Sequence, residues 1–209
     1  MMMPPAAAFA VFNRAISRCE NQPEHALIAL QDMAQAMIGA RLFTVLRFTE
    51  DRTGMVRVWS SSTKHFPVGE RRPYSYDYVS HIVFDEQQYA LALDRQGIAT
   101  EISDSQRVFD MGCQNLMMLP VVLQGRILGV VNICNRETAY TEHHVAATQM
   151  LLPSAIIALQ LVERTRTPAL SGGGGGGRPP PPETNTTPRG AVGVLVKFTK
   201  KAGEKHGRG

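Results

Sequence analysis

The stretch Leu116–Cys134 reads LMMLPVVLQGRILGVVNIC, in which two apolar runs are separated by Gln124, Gly125 and Arg126. A tight hairpin turn requires positive φ angles, which glycine adopts without steric cost, so this spacing predicts a β-hairpin. Neither run alternates strictly between apolar and polar residues, which indicates that both faces of the hairpin are covered. We therefore predict that the hairpin forms the centre of a sheet with helices on at least one side.

Charge is distributed unevenly along the 209 residues. Residues 1–164 carry 14 Lys and Arg against 16 Asp and Glu, a net charge of −2, whereas residues 165–209 carry 8 against 2, a net charge of +6. A chain of this length accommodates one core-forming domain of ordinary size. Since the basic character belongs to the tail, the body lacks the basic surface that nucleic acid would need, and we expect no nucleic-acid partner.

Composition divides the chain into three regions. Gly172–Gly177 is a run of six glycines and Pro179–Pro182 a run of four prolines, and neither can bury enough apolar area to offset the entropy of ordering it. We predict an N-terminal extension over 1–22, a folded domain over 23–164, and a disordered Gly/Pro-rich linker with a basic tail over 165–209. Within the tail, Ala191–Thr199 has β-strand character but no companion strand.

The three cysteines, Cys19, Cys113 and Cys134, are odd in number and lack CxxC spacing. This argues against a disulfide framework and a zinc site and fits a reducing compartment. The N-terminus has no positive charge before its short apolar run, so no signal peptide is predicted. Polar residues interrupt the apolar stretch 145–162, which favours a helix of a soluble protein over a membrane span. We expect a cytoplasmic protein with no membrane partner.

Apolar spacing and turn residues predict the other elements of the domain. Leu27, Leu30, Ala34 and Met37 recur at helical intervals between Pro23 and Ile38 and predict an amphipathic helix. Pro153 is expected to kink a long final helix from Thr141 to about Glu163. The remaining predictions are strands at Leu42–Phe48, Met55–Trp59 and Tyr89–Leu93, an extended piece at Phe66–Val68, and short helices at about 76–83 and 104–111.

This order of elements, together with several short motifs, resembles the GAF domain family over roughly residues 23–163. The resemblance implies an α+β fold, a GAF-like central antiparallel β-sheet flanked by helices, with a pocket on one face that holds a small molecule. The residues that carry it are Gly112-Cys113, Leu119-Pro120-Val121, Gly125-Arg126, Ile127–Asn132 and Tyr140-Thr141-Glu142.

The family comprises mostly sensory and regulatory modules, often dimeric through terminal helices. The resemblance therefore implies a non-enzymatic small-molecule-sensing or protein-interaction module of the signalling type, a homodimer through terminal helices. The possibility of a separate output protein is left open, because no kinase, cyclase, phosphodiesterase or DNA-binding segment fits in the remaining residues. Ligand identity varies within the family and cannot be carried over from the fold, so the sequence leaves the cofactor unknown.

Six residues are candidates for contact with a ligand in the pocket of this fold. Tyr78 and His81 are one helical turn apart and offer hydrogen bonds, although a partly exposed helical histidine is equally common. Asn132 is an amide within an apolar strand, so it must find partners in the backbone or in a ligand. Phe109 and Met117 suit an adaptable cavity wall but fit a core equally well, and Cys113 is either a pocket thiol or a buried apolar residue.

An alternative is a cysteine-based redox enzyme of the free methionine sulfoxide reductase type, a branch of the GAF family that uses several cysteines around its pocket. Cys113 would act with Cys134 or Cys19, although residues 80–112 contain no cysteine. His143 and His144 are adjacent and point in different directions on a helix, so no metal site is predicted. The Asn-Lys-Phe-Asp-Glu set of cyclic-nucleotide-binding members and the cysteine signature of bilin-binding phytochromes are not found.

Overall fold

The computed structural model describes residues 4–74, 78–136, 140–166 and 196–198. Its centre is a sheet with the strand order β3-β2-β1-β6-β5-β4-β7, and every pairing is antiparallel except that of β4 with β7. The predicted α+β class, an antiparallel sheet flanked by helices, is confirmed. The strands are β1 (Leu42–Phe48), β2 (Gly54–Ser60), β3 (Arg71–Pro73), β4 (Ala90–Ala92), β5 (Asn115–Leu123), β6 (Arg126–Asn135) and β7 (Val196–Phe198).

The predicted hairpin is formed by β5 and β6, with Gln124 and Gly125 as its two turn residues. Their φ angles are 52° and 71°, the left-handed values that a type I′ turn requires and that match the twist of the strands. β6 pairs with β1 on its other side. The hairpin therefore lies in the interior of the sheet, as the sequence predicts.

Both faces of the central strands are covered, because alternate residues enter different layers. On β1, Phe43 and Val45 belong to the main hydrophobic core, whereas Leu42 and Leu46 belong to smaller clusters on the opposite face. On β6, Val131 and Ile133 enter the main core, whereas Val130 lies on the opposite face. Two-sided burial explains why these strands read as nearly continuous apolar runs.

Four helices cover the main-core face of the sheet: α1 (Pro5–Ile16), α2 (Glu24–Ile38), α6 (Glu142–Gln149) and α7 (Leu152–Arg166). α2 confirms the predicted amphipathic helix, with its apolar positions buried in the main core, where it packs against α1, α6 and α7. α1 lies within residues 1–22, and its Ala8 and Phe12 are each 1% exposed in the main core. The core thus includes side chains from the predicted N-terminal extension.

The final helix is broken rather than kinked, so the prediction of one long helix from Thr141 to Glu163 is wrong. α6 and α7 are bent by 43° relative to each other, and the break falls at Met150 and Leu151, ahead of Pro153. Proline has no amide hydrogen, and its ring clashes with the carbonyl four residues earlier. The continuous helix therefore ends at Gln149, and Pro153 becomes the second residue of α7.

Short elements cover the opposite face of the sheet. They are α3 (Tyr78–Ser80), which continues into a π-helical turn over His81–Asp85, and the helices α4 (Arg95–Glu101) and α5 (Ser105–Asp110). α4 is absent from the sequence prediction, yet Asp94 caps it by accepting a hydrogen bond from the Gly97 amide at 2.7 Å. The predicted extended piece at Phe66–Val68 is wrong, since those residues lie in the loop before β3, whose strand is Arg71–Pro73.

Most of the predicted tail lies outside the described residues. Val196–Phe198 is the part that is described, and it pairs in parallel with Ala90–Ala92 of β4. The expectation that this segment lacks a companion strand is therefore wrong. The partner is a strand more than a hundred residues earlier in the chain, which local sequence does not indicate.

Candidate ligand-binding cavity

A cavity of about 190 Å³ lies between the sheet and the short elements that cover it. Its floor consists of the residues that alternate away from the main core on β1, β2, β5 and β6. Its cover comes from the β2–β3 loop, α3 with its π-helical turn, and the segment from α4 to α5. Apolar lining residues include Leu42, Leu46, Met55, Phe66, Phe84 and Val130.

Asn132 places an amide in the floor of this cavity. Asn132 lies on β6, where it pairs with Thr44 of β1 on one side and with Met118 of β5 on the other. Both of these neighbours also line the cavity. The Oδ1 atom of Asn132 is buried and has no hydrogen-bond partner among the described residues. The sequence predicts that this amide needs a partner, and its buried oxygen has none among the described residues.

Arg57 places a cation in the wall of the same cavity. It lies on β2 opposite Leu46, and its side chain is 2% exposed. Its Nη1 donates to a carboxylate oxygen of Glu70 and to the carbonyl of Pro67, and its guanidinium carbon lies 5.1 Å from the centre of the Phe66 ring. Arg57 Nε is buried with no acceptor in the part of the chain that the structure describes.

An ion-pair network joins Arg57 to the cover of the cavity. Glu70 binds Arg57 and also Arg107, whose Nη1 is 2.7 Å from Glu70 Oε1. Asp104 binds Arg107 and Arg72. Three arginines thus face two carboxylates, an excess of one positive charge, and the network connects β2, the β2–β3 loop, β3 and α5.

The network controls the ionisation of Glu70. Hydrogen bonds from Arg107 and Arg57 lower the pKa of the Glu70 carboxyl to about 2, although partial burial opposes the shift. The carboxylate therefore stays charged at any physiological pH. Arg107 also lies over the Phe66 ring at 4.6 Å, so two guanidinium groups contact this ring and hold it in the cavity wall.

The six predicted ligand-contacting residues are distributed over several parts of the molecule. Asn132 lines the cavity. Met117 is fully buried on the opposite face, in the main core. His81 is exposed and pairs with Asp85 and Glu86, and Phe109 packs at the edge of a smaller cluster under Arg95. Tyr78 begins α3, and its side chain lies outside the described residues.

Cys113, the sixth predicted residue, is fully buried beside Cys134, which lines the cavity. Interaction with the Cys134 thiol lowers the pKa of the Cys113 thiol; burial opposes this shift, and the charges of Arg41 and Arg136 add to it. The same interaction raises the pKa of Cys134, as does burial.

Sequence reasoning missed Arg57 and Glu70. A signal was present for Arg57, because it is the only charged residue of the apolar strand GMVRVWS, and an arginine there must be exposed or paired. Glu70 lies in a polar loop, where a glutamate is unremarkable. Its ion pairs with Arg57 and Arg107 depend on the path of the β2–β3 loop, which the local sequence pattern does not reveal.

A second recess, of about 520 Å³, lies at the edge of the sheet near the end of α7. Its lining is mostly polar and includes Arg47, Arg71 and Arg166 together with Glu50 and Asp51. Arg166 is paired with Glu50 and Glu163, and Arg47 contacts Glu163. Among the described residues, no group of three or more His, Cys, Asp or Glu side chains is arranged to hold a metal ion.

The family model of the GAF domain matches residues 22–159. The chain therefore belongs to the GAF domain family, whose members are typically sensory or regulatory modules that bind small ligands. No curated protein sequence is a significant match.

Solved structures with the same fold include three GAF domains. The phycocyanobilin-bound domain of a cyanobacterial phytochrome is 12% identical with a TM-score of 0.60, covering 80% of this chain and 100% of its own. The domain of a Coxiella burnetii phosphoenolpyruvate-protein phosphotransferase is 14% identical with a TM-score of 0.59, covering 78% and 94%. The domain of a Bacillus halodurans sensor histidine kinase is 12% identical with a TM-score of 0.58, covering 70% and 99%. At these identities the similarity shows the fold alone.

No single helix in the described part of the chain is long and apolar enough to cross a membrane. The bent pair His143–Gln149 and Leu152–Arg166 passes that test by length and composition only. Ala155 and Ala158 in this pair are each 0% exposed within the protein core.

Proposed function

We propose that this chain is a non-enzymatic sensory module that binds a small molecule in the cavity between the sheet and the short covering elements. The observation that carries the proposal is the cavity itself, a largely apolar space whose lining also includes the polar side chains of Arg57 and Asn132. A few polar groups that converge on an apolar pocket are typical of binding sites.

The proposal is tested by a saturation-transfer NMR screen of single-ring compounds that includes anionic, neutral and cationic members. The variant Met118→Trp, which would fill the cavity beside Asn132, is expected to abolish binding of every true cavity ligand. The control Val68→Trp, at a residue 51% exposed in the β2–β3 loop, is expected to leave binding unchanged. Absence of any compound that binds wild type and is lost in Met118→Trp would contradict the proposal.

We further propose that the module is a homodimer that pairs through α2 and α7. Ile28 on α2 and Ile157 on α7 are each 39% exposed, and Met150 at the α6–α7 break is 40% exposed. These apolar side chains lie on the helical layer, away from the cavity. A ligand would shift the balance between dimer arrangements only if it binds one of them more tightly than the other.

A separate output protein would receive the signal, in the cytoplasm. All three cysteines are free, which supports a reducing compartment. Co-purification of a specific partner whose binding changes on addition of a cavity ligand would support this arrangement, whereas secretion into an oxidising compartment in the native host would contradict it.

A second candidate function, reduction of methionine sulfoxide, is favoured by the interacting thiols of Cys113 and Cys134, of which Cys134 lines the cavity. Two thiols can reduce a sulfoxide to a thioether and water, and they are oxidised to one disulfide in the process. An external dithiol must then restore them. Free methionine sulfoxide incubated with dithiothreitol tests this, because turnover that is lost in Cys113→Ser but kept in Cys19→Ser would support it, and no turnover by the parent protein would exclude it.

A further inference from the structure

We propose that the outer edge of strand β4 is a docking site for an extended segment, and that the C-terminal strand β7 of the same chain is its tethered, exchangeable occupant. β7 is the last strand at one side of the sheet, and β4 lies between it and β5. Without β7, β4 would present unpaired backbone groups at the sheet edge, which is the surface that accepts an added strand.

The docking contact is a short parallel ladder. Val196–Phe198 pairs in register with Ala90–Ala92. Strand addition of this kind derives its affinity from main-chain hydrogen bonds. Parallel pairing is slightly less stable per residue than antiparallel pairing, and three residues are fewer than the about five or six of a usual strand. The contact is therefore weak by itself, and it can open while the rest of the sheet stays paired.

The covalent connection keeps the occupant near its site. Residues 167–195 separate α7 from β7, and they include the six glycines Gly172–Gly177. A Gly-rich chain of about 29 residues has a root-mean-square end-to-end distance of about 30 Å. Tethering on this scale gives an effective concentration on the order of millimolar. A weak contact is thus occupied within one chain, whereas a separate peptide must reach a comparable concentration to compete for the edge.

Strand β4 supports the cover of the cavity on both sides. The π-helical turn precedes β4 in the chain, and α4 follows it. Ala90 belongs to the same hydrophobic cluster as Val83 and Phe84 of the turn. Ala92 belongs to the same cluster as Ile98 of α4. Because β4 packs with both covering elements, the pairing of β7 with β4 links the C-terminal segment to the cover.

The backbone of β4 reports directly on this pairing. β4 is three residues long, and its other partner is Leu116–Met118 of β5. Successive residues of a strand present their N–H groups to opposite sides. At least one of the three β4 amides therefore faces β7, and its hydrogen exchanges slowly only while β7 is docked.

Amide hydrogen–deuterium exchange of the intact chain, with no ligand added, tests the proposal. The strand variant, Val196→Pro/Lys197→Pro, removes two consecutive amide hydrogens, so one of the two prolines removes a donor that faces β4. We expect exchange at Ala90–Ala92 to be about tenfold or more faster than in wild type, with faster exchange in the π-helical turn and α4. Unchanged exchange in β1 establishes that the variant is folded.

A matched control places the same two prolines in the linker. Thr186→Pro/Thr187→Pro lies outside the paired segment, and its β4 amides should exchange as in wild type. Exchange of the occupant is tested with the synthetic peptide GVLVKFTKK, the sequence of residues 193–201, added to the strand variant at millimolar concentration. The peptide should restore slow exchange at Ala90–Ala92, whereas the peptide GVLPPFTKK should not.

Three results would overturn the proposal. In the first, β4 exchanges equally in wild type and in the strand variant, so β7 does not protect the edge. In the second, both double-proline variants accelerate the exchange equally, so the effect does not arise from strand pairing. In the third, GVLVKFTKK restores no protection, so the edge does not accept a separate segment. Each result leaves the proposed sensory function standing, because that function is tested by ring compounds that bind in the cavity.

Discussion

Arg57 and Glu70 form an ion pair in which the arginine side chain is 2% exposed and the glutamate side chain is 27% exposed. Arg107 binds the other oxygen of the same carboxylate. One carboxylate thus ties strand β2 to helix α5 across the β2–β3 loop. The shape of the cavity wall depends on this carboxylate being charged.

Lowering the pH should reduce the free energy of unfolding, because the Glu70 carboxylate becomes protonated. Its pKa in the folded protein is about 2, below the ordinary value of 4.5, so the unfolded chain takes up a proton first as pH falls. The stabilisation is complete above pH 4.5 and is lost as pH falls toward 2. Urea unfolding at a series of pH values should show a steeper loss of stability in wild type than in Glu70→Gln over this range.

At neutral pH, Glu70→Gln should destabilise the protein by about 2 kcal/mol, less than the cost of breaking a fully buried pair because Glu70 is partly exposed. The control Glu50→Gln removes a carboxylate that is 83% exposed and paired with Arg166. That change should cost less than about 1 kcal/mol. Equal effects of the two substitutions would contradict the structural role of Glu70.

Gly129 should tolerate no side chain. A Cβ atom there would lie within 2.1 Å of the Leu46 carbonyl oxygen on the neighbouring strand, so β1 and β6 would have to separate. We expect Gly129→Ala to destabilise the protein by about 1–3 kcal/mol. Gly125→Ala at the turn meets no atom within 4 Å but has a φ of 71°, and it should cost about 1 kcal/mol. Chemical denaturation that ranks Gly125→Ala as the more harmful change would refute this.

His144 caps helix α6 as a neutral imidazole. Its Nδ1 accepts a hydrogen bond from the Thr141 amide at 3.1 Å, and burial, with the nearby His143, lowers the pKa of His144. Because the folded state disfavours protonation, the stabilisation is complete above pH 6.5 and is lost as pH falls below it. His144→Gln keeps an acceptor, so its unfolding midpoint should change less than that of wild type between pH 7 and 5. The variant His143→Gln should retain most of the wild-type pH dependence.

Ile157→Glu should disrupt the proposed dimer. A charge placed on the α7 surface would have to be desolvated on association, so we expect dimerisation to weaken by about tenfold or more. Val68→Glu, at an exposed apolar residue on the β2–β3 loop, should leave the association unchanged. Analytical ultracentrifugation over a concentration series measures both, and a monomeric wild type at tens of micromolar would contradict the dimer.

The central sheet could be predicted from sequence because local patterns determine it. Gln124-Gly125 fixes the hairpin turn, and the two apolar runs imply burial on both faces. The elements over the cavity were harder to predict because they are short and their ends depend on tertiary contacts. Asp94 caps α4, but an aspartate in a loop also suits a turn, so the residue alone does not specify a helix.

The candidate site was predicted only in part for a related reason. Asn132 stands out because an amide interrupts an apolar strand. Met117 is next to Met118 in sequence, yet it faces the main core whereas Met118 lines the cavity. The side-chain period of two in a strand decides this difference, and a run with apolar residues on both faces does not reveal which face holds the cavity.

The two-sided sheet also has an evolutionary consequence. Neighbouring residues on β6, such as Asn132 and Ile133, face different layers: Asn132 lines the cavity, and Ile133 lies in the helical core. Homologues that respond to different compounds should therefore diverge at every second position of these strands and keep the intervening positions aliphatic. Such proteins could acquire new chemical specificity by point mutation while retaining the scaffold.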